Sequence, residues 1–104
     1  MHSNNHAGIS LAAMTHLGAA IPNLACALDT HYPWQWEEII VGGRIKIEGG
    51  CVTLPKGAGL GVELDRAALA RAHEAYKRCG FRERNDEIEM QKKVPGWKFK
   101  QTRW

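Results

Sequence analysis

His2-Ser3-Asn4-Asn5-His6 leads into a helical pattern, and Asp29-Thr30-His31 closes the apolar run Leu24-Ala25-Cys26-Ala27-Leu28 that comes after it. Between them, Ile9, Ala12, Ala13, Leu17 and Ala20 recur at helical spacing, and Pro22 stops the helix. A short, unbroken apolar run suits a strand buried on both faces, as in a parallel sheet. The order is polar loop, helix, turn, buried strand, polar loop, which is half of a βαβ unit without its first strand. If a strand ends just before His2, both polar clusters lie at the carboxyl edge of the strands. Parallel α/β folds place their chemistry at that edge.

After Trp36 the character changes. Arg44-Ile45-Lys46-Ile47-Glu48 alternates polar and apolar residues, Gly49-Gly50 follows, and Cys51-Val52-Thr53-Leu54 completes a predicted β-hairpin. The glycines of the 55–61 loop do not form GxGxxG and do not lead from a strand into a helix, so a structural loop is expected rather than a phosphate cradle. Asp65 reads as an N-cap. Leu69, Ala72, Tyr76 and Cys79 line one face of the helix it starts, and Gly80 is its stop. Residues 81–104 read as charged and irregular. A two-residue-turn hairpin and a strand with a single helix cannot each bury their own faces, so these elements call for partners the sequence does not contain.

The chain has 104 residues, 44% hydrophobic and 24% charged, a globular composition of about one domain. No apolar run reaches the ~20 residues that span a bilayer, so no transmembrane helix is expected. The N-terminus lacks the basic and apolar regions of a secretory signal. Three widely spaced cysteines, Cys26, Cys51 and Cys79, point to a reducing, cytoplasmic setting. A net charge of +3 does not by itself call for nucleic acid.

Chemistry can sit at the polar clusters. A histidine titrates near neutral pH and can accept or donate a proton, and an asparagine can both donate to and accept from hydroxyls or a carboxylate. His2, Asn4 and His31 could therefore share a pocket; the alternative is that they are capping and loop groups. A zinc reading of His2, His6, Cys26 and His31 lacks both HExxH and a nearby acidic ligand. Arg84 could hold a carboxylate bidentately or pair with Glu83 or Asp86. Residues 91–104 mix cations with aromatics. That pattern can bind single-stranded nucleic acid, but a solvated tail with docked aromatics is the commoner arrangement.

The string His2-Ser3-Asn4-Asn5-His6 with Ile9-Ser10-Leu11-Ala12 resembles the C-terminal part of glucarate dehydratases of the enolase superfamily. The resemblance continues through Ala27–His31, Gly49-Gly50-Cys51-Val52, Gly59-Leu60-Gly61-Val62-Glu63, Ala72-His73-Glu74-Ala75-Tyr76 and Met90-Gln91, and ends at Pro95-Gly96-Trp97-Lys98-Phe99. It implies an α/β fold: a C-terminal fragment of an enolase-type (β/α)8 barrel. The fragment would hold the end of strand 7, helix 7 and strand 8 in residues 1–40. A hairpin and helix returning to the capping domain would occupy residues 41–104. A full barrel takes about 250 residues.

The resemblance also implies chemistry. These enzymes take the proton α to a carboxylate of a sugar diacid such as D-glucarate, stabilise the enediolate with Mg²⁺, and expel the β-hydroxyl as water to give 5-dehydro-4-deoxy-D-glucarate. His2 matches the catalytic histidine. Ser3 and Asn4 match substrate-contacting positions beside it, and His31 and Arg84 match substrate-binding residues. The lysine base, the magnesium ligands and the histidine's carboxylate partner would all precede Met1, so no metal ligand is expected in this chain. The implied partners are the sugar diacid and the missing N-terminal part of the enzyme or a complementary subunit. No nucleic acid or membrane is implied, and an oligomer is expected when the enzyme is complete. The second expectation is a non-catalytic partner subunit or degenerate paralogue.

Overall fold

A computed structural model describes the backbone of residues 2–3 and all of residues 6–80 and 85–101. It is a mixed helix-and-strand structure of two units, Met1–Glu74 and Ala75–Trp104.

In the first unit, strand β1 (His2–Ser3) leads into helix α1 (Gly8–Ala20), which ends where Pro22 was expected to stop it. Strand β2 (Asp29–Thr30) pairs with β1 in parallel, His2 opposite Asp29 and Ser3 opposite Thr30. The strand expected over Leu24–Leu28 is not formed; Leu24 is exposed, and pairing begins only at Asp29. The register gives the reason. It pairs Asp29 and Thr30 with His2 and Ser3, and no described residue pairs with Leu24–Leu28. An extended segment needs a hydrogen-bonded neighbour to be a strand.

Helix α1 buries Gly8, Leu11, Ala12 and Met14, while Leu17 is half exposed. The sequence spacing had pointed to Ile9, Ala12, Ala13, Leu17 and Ala20. The helix is apolar on nearly every side, so periodicity alone cannot choose the face.

After β2 a 3-10 turn (Tyr32–Trp34) follows, and Tyr32 is the largest fully buried side chain among the described residues. The chain then runs to Ile40, which bridges Leu64; Asp65 N–H donates to Ile39 O at 2.8 Å and Val41 N–H to Glu63 O at 2.8 Å. The expected hairpin is present but short. Strand β3 (Ile47–Glu48) pairs antiparallel with strand β4 (Cys51–Val52). Gly49 and Gly50 turn between them with φ of 56° and 76°, the left-handed pair a two-residue turn requires. The hairpin, Leu28 and Leu11 of α1 line an apolar groove of about 360 Å³.

Helix α2 (Arg66–Cys79) starts as expected: Asp65 Oδ1 accepts Ala68 N–H at 2.8 Å. Its predicted face is not buried, however. Leu69 and Tyr76 are exposed, and Ala68 is the residue that packs inside.

Residues 81–104 are not all irregular. Helix α3 (Asp86–Gln91) has Asn85 as its cap, with Asn85 Oδ1 accepting Ile88 N–H at 3.1 Å. Asp86, Glu87 and Glu89 sit in its first turn, where the helix dipole favours acids. The following segment folds back on α3. Gln91 donates to Trp97 O at 2.9 Å, Phe99 N–H donates to Glu87 at 2.9 Å, and the Trp97 and Phe99 rings meet edge-on at 6.3 Å. The backbone of Trp97 and Phe99 is thus tied to α3, while the Phe99 ring stays exposed.

Candidate functional site

The site grows from the start of α1, which follows β1, and from the 3-10 turn that follows β2. Pairing of His2 with Asp29 sets the two backbones side by side, with His31 just beyond β2. His31 begins the 3-10 turn: Trp34 N–H donates to its carbonyl at 3.0 Å, and its ring lies 5.0 Å from that of Trp34. Only the backbone is described for His2 and Ser3, and Asn4 and Arg84 lie outside the described residues.

Beneath the start of α1 and the 3-10 turn lies a polar cluster that the sequence did not single out. Helix α1 has Ala7 at its N-cap, and no side chain there satisfies the first free N–H groups. The acceptor comes from elsewhere in the chain. Both carboxylate oxygens of Glu38 lie 3.0 Å from Gly8 N, and Oε1 also accepts Ile39 N–H at 2.7 Å. The Tyr32 hydroxyl donates to Glu38 Oε2 and accepts Ile45 N–H at 3.0 Å. Gly8 makes this possible, because a Cβ there would lie 2.8 Å from Glu38 Oε2 and 2.7 Å from Ile40 Cδ1.

Two further contacts tie this region together. His6 Nε2 lies 2.6 Å from Thr30 Oγ1, and Thr30 Oγ1 accepts Tyr32 N–H at 3.1 Å. Arg44 donates to Tyr32 O at 2.9 Å and Pro33 O at 2.7 Å, with its guanidinium 5.7 Å over the Tyr32 ring.

Burial pushes the Tyr32 hydroxyl up to about 12, and its bond to Glu38 adds to that, so it remains a donor at neutral pH. Burial lowers His6 below its ordinary value, opposed by the Glu38 charge; its ring therefore favours the neutral form. A cavity of about 360 Å³ opens on the far side of Tyr32, between Arg44, Lys46 and Glu48. Among the described residues no group of three His, Cys, Asp or Glu side chains could hold a metal ion. Cys26, Cys51 and Cys79 are all exposed and none is in a disulfide. No helix among the described residues is long and apolar enough to cross a membrane.

The missed residues, Glu38, Tyr32 and Thr30, carried one faint signal: a helix beginning Ala7-Gly8 with no local cap must find its acceptor elsewhere. Nothing in the sequence says where.

Comparison with known proteins agrees with the family expected from the sequence. A probable glucarate dehydratase of Streptomyces coelicolor is 46% identical over 99 residues, covering 93% of this chain and 23% of that protein. The chain thus spans about a quarter of the curated relative. A crystal structure of an enolase from Pseudomonas fluorescens Pf0-1, with bound magnesium, potassium and tartrate, is 53% identical with a TM-score of 0.84, covering 94% of this chain and 23% of that one. An enolase from Mycobacterium smegmatis complexed with formate and acetate is 51% identical with a TM-score of 0.85, covering 100% of this chain and 24% of its own. The family model for the enolase C-terminal domain-like proteins matches residues 1–68. The chain is a glucarate dehydratase-like member of the enolase superfamily and corresponds to its C-terminal part.

Proposed function

We propose that the complete protein is a hydro-lyase that removes water from D-glucarate or a related sugar diacid to give 5-dehydro-4-deoxy-D-glucarate. The observation that carries this reading is the 46% identity to a probable glucarate dehydratase across nearly the whole chain. In this reading residues 1–40 end a barrel and residues 41–104 return toward a capping domain. The setting is cytoplasmic, and the partner is the rest of the enzyme or a complementary subunit.

His2 moves the proton. Neutral, it can take the proton α to a carboxylate; protonated, it can return one to the same face. Ser3, Asn4 and His31 offer hydrogen bonds to the diacid's hydroxyls, and Arg84 offers a two-pronged bond to its far carboxylate. The β-hydroxyl then departs with a proton as water, which balances the elimination. The described residues do not supply a magnesium site; a divalent cation held by the rest of the protein would stabilise negative charge on the substrate carboxylate.

The test is proton exchange. In a complete barrel carrying this segment, His2→Asn should abolish solvent exchange at its face of the substrate; unchanged exchange and turnover would remove His2 from the mechanism. The 104-residue chain alone, given glucarate and Mg²⁺, is expected to form no 2-keto acid. Robust formation would show that the chain needs no partner.

A further inference from the structure

We propose that Glu38 is a positioning residue: through one carboxylate it holds both the start of α1, six residues after His2, and the turn carrying His31, and so fixes the separation of the two histidines. The role of His2 and His31 rests on the dehydratase reading; the way Glu38 holds the start of α1 and the His31 turn does not.

The geometry assigns Glu38 to neither turn. It stands on the segment that Ile40, Val41 and Asp65 tie to the start of α2, with backbone bonds of 2.8 Å on either side of the bridge. From that anchored base it reaches in two directions. One leads to Gly8 N–H, the first residue of the helix that follows the His2 cluster. The other leads to the hydroxyl of Tyr32, the residue after His31. Tyr32 is 1% exposed, so its ring has no freedom to drift and carries any displacement of the carboxylate into the His31 turn.

A carboxylate suits this task better than a neutral acceptor. Its oxygens accept more than two hydrogen bonds at once, and its charge favours the N-terminal end of a helix dipole. Here they accept from Gly8, Ile39 and Tyr32 together. Gly8 fits the same design, since any side chain there would occupy the carboxylate's place. The His6–Thr30 contact is a second tie between the approach to α1 and β2. Glu38 acts through what it holds.

The test uses this chain joined behind the N-terminal three quarters of the Streptomyces coelicolor relative, so that the barrel is complete. Glu38→Ala should lower kcat about 100-fold per folded molecule with KM changed only a few-fold, as expected for a misplaced reacting group. Glu38→Gln, which keeps an acceptor oxygen in place, should recover most of that loss. A purely structural residue would lower the folded yield and leave kcat per folded molecule unchanged, and that outcome overturns the proposal.

Imidazole NMR on the same proteins separates this inference from the dehydratase reading. If the parent turns over no diacid, the dehydratase reading fails. The proposal here then stands if the His2 and His31 resonances shift in Glu38→Ala and return in Glu38→Gln while His16 does not move, and it falls if they do not shift. Should Glu38→Ala fail to fold, Tyr32→Phe removes one of the two arms, keeps the ring, and is read in the same way.

Discussion

Helices α1 and α3 begin in opposite ways. The N-terminus of α3 is satisfied by its immediate neighbour Asn85 and by acids of its own first turn. The N-terminus of α1 has no local cap and takes its acceptor from Glu38, 30 residues further along the chain. A local cap stabilises one helix and nothing more. A remote cap makes the helix depend on the tertiary fold, and the fold depend on the helix, so one broken contact disturbs both. That second arrangement surrounds the candidate site, where exact placement of backbone matters to chemistry.

The comparison can be broken most forcefully at Tyr32. Tyr32→Ala should cost about 3–5 kcal/mol, the range for deleting a buried aromatic ring, read from urea or thermal unfolding. A loss below about 1 kcal/mol would mean that the first unit is not organised around this residue. Glu38→Ala comes next, at about 2–3 kcal/mol, because it leaves Gly8 N–H, Ile39 N–H and the Tyr32 hydroxyl without their acceptor. Amide exchange should show Gly8 losing protection along with Ile45. Gly8→Ala should cost about 1–3 kcal/mol through overpacking against Ile40 and Glu38. Melting at the parent temperature would mean that the two side chains move aside freely.

Asn85→Ala sharpens the contrast from the other side. Its cost should be about 1 kcal/mol or less and confined to Ile88 and its neighbours, seen as faster exchange of the α3 amides alone. The effect of pH tests the same cluster. His6 has a lowered value in the fold, so its contribution is present above about 6.5 and is lost as pH falls through that value toward the folded one. Tyr32 has a raised value, so its contribution is present below about 10 and is lost as pH rises from there to about 12. Urea midpoints measured across both windows should fall at each end, and Tyr32→Phe should remove the alkaline fall.

Much of this was readable in the residues, and the exceptions share a cause. The end of α1 at Ala20, the Asp65 cap of α2 and the Gly49-Gly50 turn are local events with local signatures, and all are present in the structure. Helix α3 was legible too, since Asn85 followed by Asp86 and Glu87 is a cap and a first turn. Six residues are too few to show a period, so the apolar pattern does not reveal it. The strand expected over Leu24–Leu28 is different. Its apolar run is there, but a strand exists only where a neighbour is hydrogen-bonded to it, and no described residue pairs with that run. The same holds for the faces of α1 and α2, whose apolar positions are only partly covered.

By itself the sequence determined the family, through the His2–His6 cluster and the strings that follow it, and the positions of the helix ends and the tight turn. These depend on residue chemistry within a few positions. Only the tertiary structure decided that His2 lies beside Asp29, that Tyr32 is fully buried, and that Glu38 braces the start of α1 and the His31 turn at once. Those facts join residues about 30 apart, and a carboxylate gives no sign in the sequence of which distant N–H or hydroxyl it will meet once the chain has folded.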